Sequence, residues 1–208
     1  LATSALIRGP VRDALALVAH PRLNLLSRVG LSEAGSAGRH ATRLSIALPL
    51  LAALKAEDVA VSATSNIVGL ALPNVLRGQA VSEGKVSLSV DNTHMRAEGE
   101  GRFADTPARF LWEEFFPAKA AVRRRLTASL TLNPRLRRLF DADFPEFLSG
   151  PVGAKIVYEE RRNGVQNLSG DLDLDAAKLD VPGFDWAKQP GRAGKASFRA
   201  QLGGGGVT

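Results

Sequence analysis

Cysteine is missing from the 208 residues, which excludes disulfide frameworks, thiolate metal sites and cysteine nucleophiles together. No apolar run approaches the ~18 residues of a membrane-spanning helix, and no signal-peptide pattern opens the chain. Only three histidines occur, and none of His20, His40 and His94 lies three or four residues from another. That spacing offers no zinc site, and no cofactor is expected. Aromatic residues amount to 6% and cluster at Phe103, Phe110, Trp112, Phe115 and Phe116 instead of interleaving with the basic residues. Binding of nucleic acid by base stacking needs that interleaving, so no nucleic-acid partner is expected.

What remains is ordinary for a folded chain, with 45% hydrophobic and 23% charged residues. A net charge of +6 and a pI near 10.2 favour anionic partners such as phospholipid headgroups or lipopolysaccharide phosphates. Opening at Leu1 and ending in the run Gly203–Gly206, the chain reads as a piece of a longer protein.

Period-two alternation dominates. Apolar residues recur at Leu44, Ile46 and Leu48, at Val86, Leu88 and Val90, and at Leu126, Ala128, Leu130 and Leu132. They recur again at Ala154, Ile156 and Tyr158, at Leu168, Gly170 and Leu172, and at Ala196, Phe198, Ala200 and Leu202. Such spacing gives each strand one apolar and one wet face, the pattern of antiparallel sheets. A mainly β fold is expected, a curved and largely antiparallel sheet with an open groove. Helical spacing is confined to a segment after Gly9-Pro10, a second short helix from Pro21, a third from Pro134 and a possible single turn at Ala52–Glu57. The first 30 residues are therefore expected to be two short helices packed on the start of a sheet.

Three short motifs recur in the same order. P-R-L-x-x-L begins at Pro21 and Pro134; Leu70–Pro73 resembles Leu179–Pro182; and Gly84–Leu88 resembles Gly194–Phe198, at offsets of 113, 109 and 110 residues. The L-x-[LV]-P motif is read as a turn. Two tandem units follow, 9–117 and 118–208, each a small group of strands that would stack edge to edge.

Chemistry-bearing motifs fail on context. Ser82-Glu83-Gly84-Lys85 matches S-x-x-K but leads into a strand, with no companion motif behind it. Gly191–Ala196 resembles a phosphate loop, yet Gln189 stands where its first glycine belongs and Ala196 where the hydroxyl belongs. Asp171, Asp173 and Asp175 share one strand face; calcium is one account of them, and a solvated face that resists aggregation is the simpler one. Glu113 and Glu114 point to opposite sides of a strand and make a poor acid–base pair. No enzyme is expected. Arg123, Arg124 and Arg125 form the main basic run and are the candidates for contact with anionic headgroups.

The stretch Leu172–Lys188 resembles a recurring segment of AsmA-like proteins, D-L-x-x-A-x-L-x-x-P-x-L-G-W-x-K-x-x-G, with Phe184-Asp185-Trp186 in place of L-G-W. Gly38–Leu50 and Asp91–Trp112 resemble the YhdP-like branch. The resemblance implies a protein of the Gram-negative envelope, periplasmic and held in the inner membrane by an N-terminal segment that this chain lacks. Phospholipid acyl chains would travel between the inner and outer membranes along a groove of apolar side chains. Leu44, Ile46, Leu48, Val86, Leu88, Val90 and Phe198 are the candidates to line it. The competing expectation is a structural β-domain whose apolar face packs against itself or another subunit.

Overall fold

A computed structural model describes residues 1–19, 34–49, 58–183, 186–203 and 206–207. The chain runs through β1 (Ala2–Pro10), α1 (Val11–Ala19), β2 (Ala37–Ala47), β3 (Ala60–Leu76), β4 (Gln79–Asp91), β5 (His94–Phe103) and β6 (Thr106–Phe115). It continues through β7 (Val122–Leu132), α2 (Pro134–Leu139), β8 (Leu148–Ser149), β9 (Val152–Arg161) and β10 (Gln166–Asp173). Last come β11 (Lys178–Val181), β12 (Trp186–Lys188), β13 (Lys195–Gly203) and β14 (Gly206–Val207).

Eleven strands form one open sheet in the order β1-β2-β3-β4-β5-β6-β7-β9-β10-β13-β14, and every pairing is antiparallel. A mainly β, antiparallel and unclosed architecture is therefore what the alternating sequence makes. Three short strands, β12-β11-β8, form a separate small sheet.

Two stretches follow the same course: β1, α1, β2, β3, β4 and then β7, α2, β9, β10, β13. In the first, β3 and β4 run on past Leu70 as one long hairpin, with Leu72 opposite Val81 and Leu76 opposite Gln79. In the second, the chain leaves the main sheet after Asp173, builds β11 and β12, and returns as β13. Gly38 and Gly150 hold equivalent places. Each has positive φ, and a Cβ at Gly38 would lie 2.9 Å from the Gly69 carbonyl oxygen, at Gly150 3.1 Å from that of Ala176. A larger residue would clash and be strained at either position. The boundary at 117/118 falls in the turn between β6 and β7, and the sheet crosses it without a break.

Both helices and the small sheet sit at one end of the strands. Val11 and Leu15 of α1 pack with Leu70, Val86 and Ala97, while Val152, Leu174 and Ala177 pack with Leu132, Leu148 and Leu179. Asn133 caps α2, accepting the Leu136 N–H at 2.9 Å, and Pro134 fills the first turn.

Three expectations need correction. Residues 2–10 form edge strand β1, not part of a helical pair; its side chains are mostly exposed and lack strict alternation. Leu70–Pro73 lies inside β3 instead of forming a turn, because the hairpin continues past it. Ser82–Lys85 lies inside β4, where Glu83 takes a positive φ at a break in register. The helix expected from Pro21, the turn at Ala52–Glu57, His20, Phe184 and Asp185 fall outside the described residues.

Candidate functional site

Residues paired directly across strands share a face, so the registers decide which side chains meet. Three rows cross ten strands without interruption. The first is Gly9–His40–Ile67–Val86–Gly99–Phe110–Ala128–Ile156–Gly170–Phe198. The second is Ile7–Thr42–Ser65–Leu88–Ala97–Trp112–Leu126–Tyr158–Leu168–Ala200. The third is Ala5–Leu44–Ala63–Val90–Met95–Glu114–Arg124–Glu160–Gln166–Leu202. All three rows lie on one face.

The candidate groove residues therefore come together on that face. Val86 and Phe198 share the first row, Leu88 sits in the second, and Leu44 and Val90 sit in the third. Ile46 stands in the next row, between Thr3 and Val61. Leu48 follows just beyond β2, its N–H donating to the Leu1 carbonyl at 2.9 Å. Side-chain contact supplements the register: a Cβ at Gly170 would lie 2.8 Å from Ile156 Cδ1, so only glycine fits between Ile156 and Phe198.

Away from the capped end this face is half-buried, not sealed. Leu44, Ile46, Leu88 and Leu126 are partly exposed, and Phe198 keeps 37% of its surface. Among the described residues, the sheet's neighbours outside its own strands are the two helices and the small sheet, all at the capped end. A contiguous apolar surface left open in this way marks an interaction site.

Two polar groups interrupt it. On β2 and β3, His40 Nδ1 lies 2.8 Å from Thr42 Oγ1, which lies 2.7 Å from Ser65 Oγ. This chain of hydrogen bonds satisfies a buried serine. On β6, β7 and β9 a ladder runs Glu114–Arg124–Glu160. The Trp112 indole N–H donates to Glu114 Oε1 at 2.9 Å, Arg124 Nε donates to the same oxygen, and Arg124 Nη1 lies 3.5 Å from Glu160 Oε2. The Arg124 guanidinium also stands 5.8 Å from the centre of the Trp112 ring. Burial, and after it the Glu160 charge, pushes the Tyr158 phenol above its ordinary value.

The three arginines expected at headgroups do not form a common patch. Arg124 and Arg125 point to opposite faces. Arg123 Nη1 holds Glu160 at 2.8 Å, and Arg125 Nη2 holds Glu159 at 2.8 Å. On the hydrophilic face Arg96–Glu113–Arg125–Glu159 forms a second ladder of alternating sign. The same face carries a depression of about 940 Å³ that reaches from Lys85 on β4 across Arg109 and Lys155 to Lys195 on β13.

Asp173 and Asp175 act as loop anchors, accepting the N–H groups of Asp175 and Gly194, each at 2.9 Å. Among the described residues no group of three or more acidic or histidine side chains is poised for a metal ion. Sequence reasoning missed Glu114, Arg124 and Glu160 as a unit. The available signal was the doublets Glu113-Glu114, Arg124-Arg125 and Glu159-Glu160, since adjacent residues on a strand deliver one charge to each face.

No family model matches the chain, and neither a curated protein nor a solved structure is significantly similar to it.

Proposed function

We propose that this chain is a lipid-binding segment of an AsmA-like envelope protein that holds phospholipid acyl chains on the apolar face of its open sheet. The carrying observation is the three rows that cross ten strands on one face and are mostly apolar, broken by the His40–Thr42–Ser65 chain and the Glu114–Arg124–Glu160 ladder, with no second layer over its middle among the described residues. Each methylene moved from water onto such a surface gains ~0.8 kcal/mol, so ten of them contribute about 8 kcal/mol before ordering costs. As part of a longer, inner-membrane-anchored periplasmic protein, the segment passes phospholipid between the inner and outer membranes and performs no covalent chemistry.

A second reading draws on the depression on the hydrophilic face. If the sheet bends toward that side, the apolar face is the outer one and is covered by another layer of protein, making the chain a structural β-domain. Mass spectrometry of an organic extract of the purified protein separates the two. Bound phospholipid near equimolar amounts is expected, and a folded Leu88→Asp variant should lose it. Extracts free of lipid, or unchanged lipid in the folded variant, overturn the lipid reading.

A further inference from the structure

We propose that the Glu114–Arg124–Glu160 ladder, together with Arg123, is a station for the headgroup of a zwitterionic phospholipid bearing a primary ammonium. The inference rests on the apolar face being the acyl-binding face and adds the class of lipid to that reading.

The third row is apolar at Leu44, Ala63, Val90 and Met95 and becomes charged where it crosses β6, β7 and β9. Charges among apolar side chains carry a desolvation penalty that a sheet in need of a plain greasy face would avoid. Fixing strand register does not explain them. The same three strands already carry Glu113, Arg125 and Glu159 on the hydrophilic face, 14%, 39% and 23% exposed, and there the ladder does not lie among apolar side chains. The second ladder is redundant for register and lies where a bound lipid would pass.

Its composition matches one ligand chemistry. Two guanidinium groups and two carboxylates balance, as do the phosphate and ammonium of a zwitterion. Guanidinium forks fit phosphate oxygens, and carboxylates accept from an ammonium. Arg123 is the most accessible member, its side chain 40% exposed while that of Glu160 is 15% exposed. Acyl chains then run from the ladder toward the capped end, over Leu126, Ala128 and Leu130. The eight steps from Arg124 to Leu132 extend roughly 27 Å at strand rise, against the ~15 Å that the chains of one leaflet occupy.

The test incubates the protein with vesicles holding equal parts of dioleoyl phosphatidylethanolamine, phosphatidylglycerol and phosphatidylcholine, followed by re-isolation and mass spectrometry of the extracted lipid. Phosphatidylethanolamine should exceed each of the others by about ten-fold, since phosphatidylcholine offers no ammonium N–H and phosphatidylglycerol no cation. Glu160→Gln should turn the preference toward phosphatidylglycerol. Arg123→Gln, which removes a phosphate contact common to all three lipids, should lower total uptake and keep phosphatidylethanolamine preferred, while Glu159→Gln on the opposite face should match the wild type. Equal uptake of the three lipids, or a preference untouched by Glu160→Gln, overturns the headgroup station and leaves acyl binding standing. Failure to take up any lipid overturns both.

Discussion

The stretches β1–β4 and β7–β13 share a course and each closes the same end of the sheet over an apolar cluster, but among the described residues only the second adds buried cations. In the first, the closure is apolar: Val11 and Leu70 are buried against Val86 and Ala97. In the second, two buried cations staple the backbone. Lys188 Nζ donates to the carbonyls of Leu174 at 2.7 Å and Ala177 at 2.9 Å. Arg137, only 3% exposed, donates to Asp143 at 3.0 Å and to the Gly150 carbonyl at 2.6 Å. The difference follows from the hairpin. Where β3 and β4 run on together, their own ladder satisfies the backbone. Where the chain departs into β11 and β12, carbonyls are orphaned and need outside donors.

The largest effect should come from Arg137→Ala, which removes the buried donor to the Gly150 carbonyl and leaves the largely buried Asp143 with Arg138 alone, and should cost about 3–5 kcal/mol, read as a lower urea midpoint. Leu70→Ala should cost about 2–4 kcal/mol by leaving a cavity beneath α1. If this loss vanished, the first stretch would not depend on its apolar plug. Lys188→Met, which keeps the stem but removes the donors, should cost about 1–3 kcal/mol and speed amide exchange in β11 and β12. A Leu70→Ala variant with the same local signature in β11 would erase the contrast.

The smallest effect concerns acid. Asp91 in the β4–β5 turn sits below its ordinary value near 3.8, held first by the Thr93 hydroxyl, then by the Thr93 and His94 N–H groups. A depressed carboxyl contributes stability above its unfolded value and loses it as pH falls through the folded one. Asp91→Asn should therefore flatten the acid limb of the urea midpoint below about pH 4. The β9–β10 turn uses Asn163 for the same purpose, accepting the Val165 N–H at 3.2 Å. It does not titrate, so Asn163→Ala should leave that limb unchanged.

Strand alternation made the sheet, its antiparallel pairing and its one greasy face legible in the sequence, because burial on a single side imposes a period of two. Edge strand β1 escaped since its side chains are mostly exposed, and an exposed strand has no pattern to enforce. The L-x-[LV]-P correspondence located the right element two residues out of step. Ala37 pairs with Ala71 and Ser149 with Lys178, so Lys178 occupies the place of Ala71. A shift of two keeps the face and hides the error. The charged ladder was invisible for another reason: the arginine run was read as one patch, when strand geometry divides it between two surfaces.

Photo-cross-linking along β4, with a benzophenone side chain placed singly at each position from Val86 to Val90 in the presence of phospholipid vesicles, tests the account most directly. Adducts should form at Leu88 and Val90 and be absent at Ser87 and Ser89, and Val86, buried beneath α1, should give none. Adducts at the serines alone, at all five positions alike, or at none would contradict it.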